Sequence, residues 1–275
     1  MDQARRTALA EFLRAHRAKL HPPAVGLEPG GRRRTPGLRR EEVAQISGVS
    51  TTWYTWLEQA REVTPSPQVL DRIATALRLS EDERRYLFTL AAAHPADPTE
   101  ARAAPTLSPA ADRILQSLRY CPTIVSDRRC GVVGWNAAAA MVFIDFGQVP
   151  PEDRNLIWLL FTRKEFRALA ANWNGLVGGF VALFRSYYGR YFGDPWYAQF
   201  IARLSQQNPE FLNFWNNQDV RSVPDISIEF RHARAGKMLF DLTSLQVQGE
   251  HDLRFSVYTP SVGSSTEDKL GNLLQ

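Results

Sequence analysis

The stretch "REEVAQISGVSTTWYTWLEQ", Arg40 to Gln59, constrains the fold more than any other part of the chain. Val43, Ala44 and Ile46 form an apolar stripe over a first short helix, Arg40 to Ile46. Gly48 ends it, because glycine accepts the left-handed backbone that a tight helix exit needs. Ser50 is then placed to cap a second helix, Thr51 to Gln59, whose Tyr54 and Leu57 face inward at i and i+3. Two short helices joined by a glycine turn spell a helix-turn-helix. The flanks extend the pattern. Leu9, Phe12, Leu13 and Leu20 give residues 3 to 20 one apolar face. Ser66 and Pro67 open Pro67 to Leu77, and the capping box Ser80/Glu83 opens Glu81 to Ala92. The expectation is an all-α domain of five helices over residues 1–94, with the pair second and third.

Charge follows the same division. Residues 1–95 hold 15 Lys/Arg against 11 Asp/Glu and the remainder 18 against 18, so the whole net charge of +4 lies in the first third. Arg32, Arg33, Arg34, Arg39 and Arg40 fall in a nine-residue window without an acid, beside a loop, "HPPAVGLEPGGRRRTPG", with four prolines and four glycines. Such a run is either solvated surface or a phosphate-binding face, and the adjoining helix-turn-helix selects the second.

Past "HPADPTEARAAPTLSPA", a proline-rich stretch taken as a linker over 95–109, the composition changes. "TIVSD" and "VVGWN" form a hairpin leading into an alanine-rich helix; residues 155–216 are mainly helical; "ISIEFRHARAGKMLFDLTSLQVQ" and "LRFSVYTP" return to strands. Residues 110–275 thus form an α+β module. It is dense in rings, from Trp135, Trp158, Trp173, Trp196 and Trp215 to Phe180, Phe184, Tyr187, Tyr188, Tyr191 and Phe192. Any one ring at helical spacing suits a core, whereas together they suit an apolar ligand pocket with a few polar anchors.

"LRREEVAQISGVSTTWYTWLEQAR" and "PSPQVLDRIATALRLSEDERRYLFTLA" resemble the XRE-type, phage repressor-like helix-turn-helix, and "RRTPGLRREEVA" with "WYTWLEQ" resembles its MmyB-like branch of bacterial transcription regulators. "GVVGWNAAAAMVF", "RNLIWLLF", "ANWNGLVGGFVALFRSYY" and "NPEFLNFWNNQDV" are similar to that family's C-terminal ligand-binding domain. The resemblance implies a PAS-like fold there, which in some members accommodates a fatty acid. Two positions depart from the family pattern. Ala60 stands where a glycine usually follows "LEQ", and "HARAGKMLF" lacks a proline usual at that turn.

In a helix-turn-helix the second helix enters the major groove with its N-terminal residues at base edges. Thr51, Thr52 and Trp56 are therefore the base-facing candidates, Ser50 and Thr55 are further DNA-contact candidates, and Trp53 lies at the helix rim nearer sugar and phosphate, core packing being the alternative for both indoles. Arg40 at the start of its helix, with Arg39, Arg33 and Arg34, is expected on phosphates or in a minor-groove arm. The ligand candidates are the aromatic walls Trp135, Trp173, Phe184, Tyr188 and Trp215 and the polar anchors Asn136, Arg154, Asn155, Arg185 and His232. Arg185, set among "VALF" and "SYY", is the best anchor, because a buried guanidinium needs an anion; the partner is either a ligand carboxylate or an internal acid.

Cys121 and Cys130 lack metal-ligand spacing and read as ordinary thiols, so no cofactor or metal is expected. No nucleophile elbow, phosphate loop or dinucleotide fingerprint appears, which argues against an enzyme. No run reaches the roughly 18 apolar residues of a membrane span, and the first 21 residues do not read as a secretion signal. The expectation is a cytoplasmic, nucleoid-bound homodimer acting on a double-stranded DNA operator and responding to a small hydrophobic ligand such as a fatty acid. A regulator whose second domain only dimerises or contacts a partner stays open.

Overall fold

The computed structural model describes residues 1–28, 37–92, 106–221, 226–247 and 253–275. Arg32, Arg33, Arg34 and most of the expected linker lie outside the described residues. Among the described residues five α-helices build the first domain: α1 (Gln3–Lys19), α2 (Arg40–Ser47), α3 (Thr51–Glu58), α4 (Pro67–Ala76) and α5 (Glu81–Ala91). Their starts are set by side chains that satisfy orphan backbone donors. Asp2 accepts from the Arg5 N–H at 2.8 Å, Ser50 from Trp53 at 3.2 Å and Ser66 from Val69 at 3.4 Å, while Ser80 and Glu83 cap each other's backbone. Gly48 leaves α2 at φ 65°, as the turn requires. Leu9, Phe12, Leu13, Val43, Tyr54, Leu57, Ile73, Leu87 and Leu90 meet in one core.

Ala60 takes the exit of α3 at φ 57°, so the turn keeps its left-handed geometry with an alanine in it. Substituting Ala60→Gly is expected to stabilise the chain by about 1 kcal/mol by removing the Cβ penalty. Urea denaturation checks this, and a neutral or destabilising result would show that the alanine is unstrained.

The second domain runs α6 (Pro109–Ser117), β1 (Thr123–Ser126), β2 (Val132–Trp135), α7 (Ala137–Val142), α8 (Leu156–Thr162), α9 (Lys164–Leu169), α10 (Trp173–Arg190), α11 (Pro195–Gln207), α12 (Pro209–Asn216), β3 (Ile226–His232), β4 (Gly236–Gln246), β5 (Arg254–Pro260) and α13 (Thr266–Leu273). Pro109 does not belong to a linker: Ser108 caps the Ala111 N–H at 3.2 Å and the proline opens α6, where its missing N–H costs nothing. The strands make one antiparallel sheet in the order β2-β1-β5-β4-β3, which matches the expected α+β, PAS-like class. Phe230, Met238, Phe240, Leu242 and Tyr258 carry one sheet face into the main core with Phe180 and Phe184. Val125, Phe255 and Val257 on the other face are covered by Ala111 and Leu115 of α6. At the β3–β4 turn the absent proline is replaced by a side-chain lock: His232 Nδ1 accepts the N–H groups of Arg234 and Ala235 at 3.3 and 3.2 Å.

The two domains are packed together. α5 lies along α10 so closely that a Cβ built on Gly189 would sit 2.2 Å from the Tyr86 ring. Phe192 and Val220 from the second domain complete the core of the first. Residues 217–221, which follow α12, strap across the joint. The Gln218 carbonyl bonds His16 at 3.1 Å, Asp219 pairs with Lys19 at 2.6 Å, and the Arg221 N–H donates to the Ala182 carbonyl at 3.3 Å.

Candidate functional site

The recognition helix α3 is fixed from beneath by one carboxylate. Glu58 is completely buried and accepts from Arg17 Nε at 2.6 Å, Arg17 Nη2 at 3.0 Å and Arg40 Nε at 2.6 Å, while Arg17 also donates to the Leu38 carbonyl at 2.7 Å. One acid thereby ties α3 to α1 and to the start of α2. Burial opposes the Arg17 charge, yet the Glu58 bonds outweigh it and hold the guanidinium above the usual arginine range. Burial, with Glu58 adding to it, pushes the Tyr54 phenol well up and keeps it neutral.

With its inner side anchored, α3 turns Thr51, Thr52 and Trp56 to solvent, and Trp56 is 39% exposed. Ser50 is exposed but holds the helix cap; Thr55 is half-buried. Trp53 packs on the first-domain core, which leaves only part of its indole on the rim. Arg39 is exposed, with its guanidinium 3.3 Å from Glu41. Arg40 has one nitrogen on Glu58 and its side chain 43% exposed. Arg61, which no motif singles out, follows the helix with its guanidinium carbon 6.0 Å from the Trp56 ring centroid.

The ten ligand candidates do not converge on one place. Phe184, Arg185, Tyr188 and Trp215 do cluster: Trp215 lies 6.0 Å from Phe184 and 5.5 Å from Tyr188, and the Arg185 guanidinium carbon sits 3.7 Å from the Trp215 ring centroid. Trp135 and Arg154 form a second neighbourhood, 5.6 Å apart beside Phe146, with Arg154 donating to the Val149 and Gly147 carbonyls. Trp173 belongs to a third, its indole N–H on Glu210 at 3.0 Å.

The remaining anchors are occupied by the backbone. The Asn136 oxygen accepts from Thr123 and Ala139 while its nitrogen donates to Leu118 and Cys121, which uses all four of its hydrogen bonds to join β1 and α7 to the segment between α6 and β1. Asn155 caps α8 through Ile157 and Trp158 and donates to the Arg129 carbonyl. His232, besides locking its turn, donates from Nε2 to the Met141 carbonyl at 3.1 Å.

Arg185 is different. It is 2% exposed, and its acceptors are neutral: the Gln218 side-chain oxygen at 2.8 Å and the Trp215 carbonyl. Its Nε has no hydrogen-bond partner among the described residues. The Tyr86 hydroxyl of α5 lies beside it, and burial pulls the guanidinium below the usual arginine range.

Residues 107–274, more than half of the chain, match the MmyB-like transcription regulator ligand binding domain. The chain belongs to this MmyB-like family. Residues 8–87 match a helix-turn-helix domain. No curated protein matches the chain. The protein is thus a transcription regulator that joins a DNA-binding helix-turn-helix domain to an MmyB-like ligand-binding domain. No helix among the described residues is long and apolar enough to cross a membrane.

Glu58, Gln218 and Tyr86 of this MmyB-like regulator escape a reading by sequence. For Glu58 a signal exists: it is four residues after Tyr54 and beside Leu57, on the inward side of its helix. For Gln218 none does, because its partners are remote in the chain.

Proposed function

We propose that this regulator binds a near-palindromic double-stranded DNA operator as a homodimer in the cytoplasm, and that its C-terminal domain senses a small hydrophobic ligand bearing an acid group, of the fatty-acid kind. The observation that carries the ligand reading is the Arg185 guanidinium, buried among Phe184, Tyr188 and Trp215 with only neutral acceptors. Such a group binds a carboxylate more strongly than an amide, since charge-assisted hydrogen bonds are about twice as strong as neutral ones. The exposed Thr51, Thr52 and Trp56 support base reading, and two-fold pairing of such modules on two half-sites is the usual source of their specificity. The dense ring packing around the completely buried Phe184 favours a second reading, in which the domain only dimerises or contacts a partner.

Native mass spectrometry of the purified chain with dodecanoate tests the choice. A one-to-one adduct supports the sensor; a clean dimer at saturating acid leaves the second reading. For DNA, selection from random duplexes should yield a two-fold symmetric site. On it, Thr52→Ala is expected to relax one base position, with a loss of about 1–3 kcal/mol of discrimination. Arg39→Ala should weaken all sequences alike and flatten the slope of log affinity against log salt by about 0.9. Equal affinity of wild type and Thr52→Ala for every duplex would sink the base-reading role.

A further inference from the structure

The strap at residues 217–221 and the buried Arg185 share their bonds. Arg185 holds Gln218 by its side chain and Trp215 by its carbonyl, and the next residues hold the DNA-binding domain: the Gln218 carbonyl through His16, Asp219 through Lys19, and Val220 within the first-domain core. The ring cluster also meets the first domain through Tyr188, which packs on its core, and through Tyr86 beside Arg185; the strap adds a hydrogen-bonded path. Gln218 is itself held at φ 57°, a left-handed conformation that a glutamine adopts only under constraint. Asp219, the carboxylate within electrostatic reach of Arg185, is bonded to Lys19.

We infer that the strap is the transmission element of this regulator: an incoming ligand carboxylate takes the Arg185 guanidinium end-on through Nη1 and Nη2, displaces the Gln218 amide and the Trp215 carbonyl that hold those two nitrogens, and releases residues 217–221 from the DNA-binding domain. This rests on the sensor reading above and adds the route by which binding is felt at the DNA. The chemistry favours the exchange in two ways. The two acceptors to be displaced are neutral, and the ligand is charged. The strained Gln218 backbone relaxes on release. By linkage, whatever weakens the strap must strengthen carboxylate binding by the same factor.

The test uses the full chain, with dodecanoate and with dodecanol, which has the same chain and no carboxylate. Hydrogen exchange of peptides covering 216–221 and 81–91 is measured beside native mass spectrometry. Dodecanoate should raise exchange at both segments by about fivefold or more, the range of ordinary allosteric coupling, and dodecanol should leave it unchanged. Gln218→Ala removes one competing acceptor, so it should bind dodecanoate several-fold more tightly and dodecanol as before. Arg185→Gln should lose the response to dodecanoate. Should that variant fail to fold, Gln218→Ala still decides. Dodecanoate bound with unchanged or slowed exchange, and with no gain in Gln218→Ala, would overturn the transmission route and leave the sensor intact. No dodecanoate adduct at saturation would overturn the sensor reading itself, and the route with it.

Discussion

Glu58→Ala is expected to lose about 3–5 kcal/mol of stability, a large part of the roughly 5–15 kcal/mol that holds a domain folded. The carboxylate is completely buried and accepts hydrogen bonds from two arginines, so its removal strands positive charge rather than merely deleting a contact. Arg17 bears most of the loss, because its side chain is only 13% exposed and keeps only neutral partners, the Leu38 carbonyl and the Tyr54 hydroxyl beside it. Arg40 can turn toward solvent from its 43% exposed position. Urea denaturation followed by tryptophan fluorescence measures the effect, with Trp53 and Trp56 on the helix concerned. The double variant Arg17→Met with Glu58→Leu is the control. Removing both charges together should recover most of the loss, as buried ion pairs replaced by apolar residues commonly do. A loss below about 1 kcal/mol in Glu58→Ala would mean that the triad is ornamental, since even an ordinary hydrogen bond contributes that much.

Gly189→Val is expected to split one unfolding transition into two. A Cβ at this position meets the Tyr86 ring at 2.2 and 2.5 Å, well inside contact distance, and the ring is fixed in the first-domain core. The overpacking costs about 1–3 kcal/mol, and helix α10 cannot yield without leaving α5. Calorimetry should show a single cooperative peak in the wild type and two in the variant. Tyr86→Leu, which removes the ring, should cancel most of the Gly189→Val effect in a double-mutant cycle. Strictly additive losses would show that the two residues do not meet.

What could be read in the residues was what lies close along the chain. Ser50, Ser66 and Ser80 place the starts of α3, α4 and α5 because a cap and its N–H are neighbours in sequence, and Gly48 marks its turn for the same reason. "TIVSD" and "VVGWN" show strands through β-branched residues bounded by turns. Helix α13 leaves little trace in the sequence although Leu270 and Leu273 carry its inner face, since eight residues give little periodicity. Site residues were harder. Asn136 and Asn155 have the chemistry of anchors, but an asparagine ahead of a helix is claimed first by that helix's own N–H groups. Arg185 stood out by its apolar neighbours, but its link to the other domain depends on residues with no local sign of their role.

Phe192 and Val220 close the core around Leu9 and Phe12. For anyone building chimaeric regulators, this means that the reading head cannot be exchanged by cutting at the proline-rich connection alone. A transplanted helix-turn-helix would arrive with a hole where those two side chains belong, beside a foreign α10 and strap shaped for another surface. In this chain head and sensor are a matched pair, and their fit is written at Tyr86, Gly189, Phe192 and Val220.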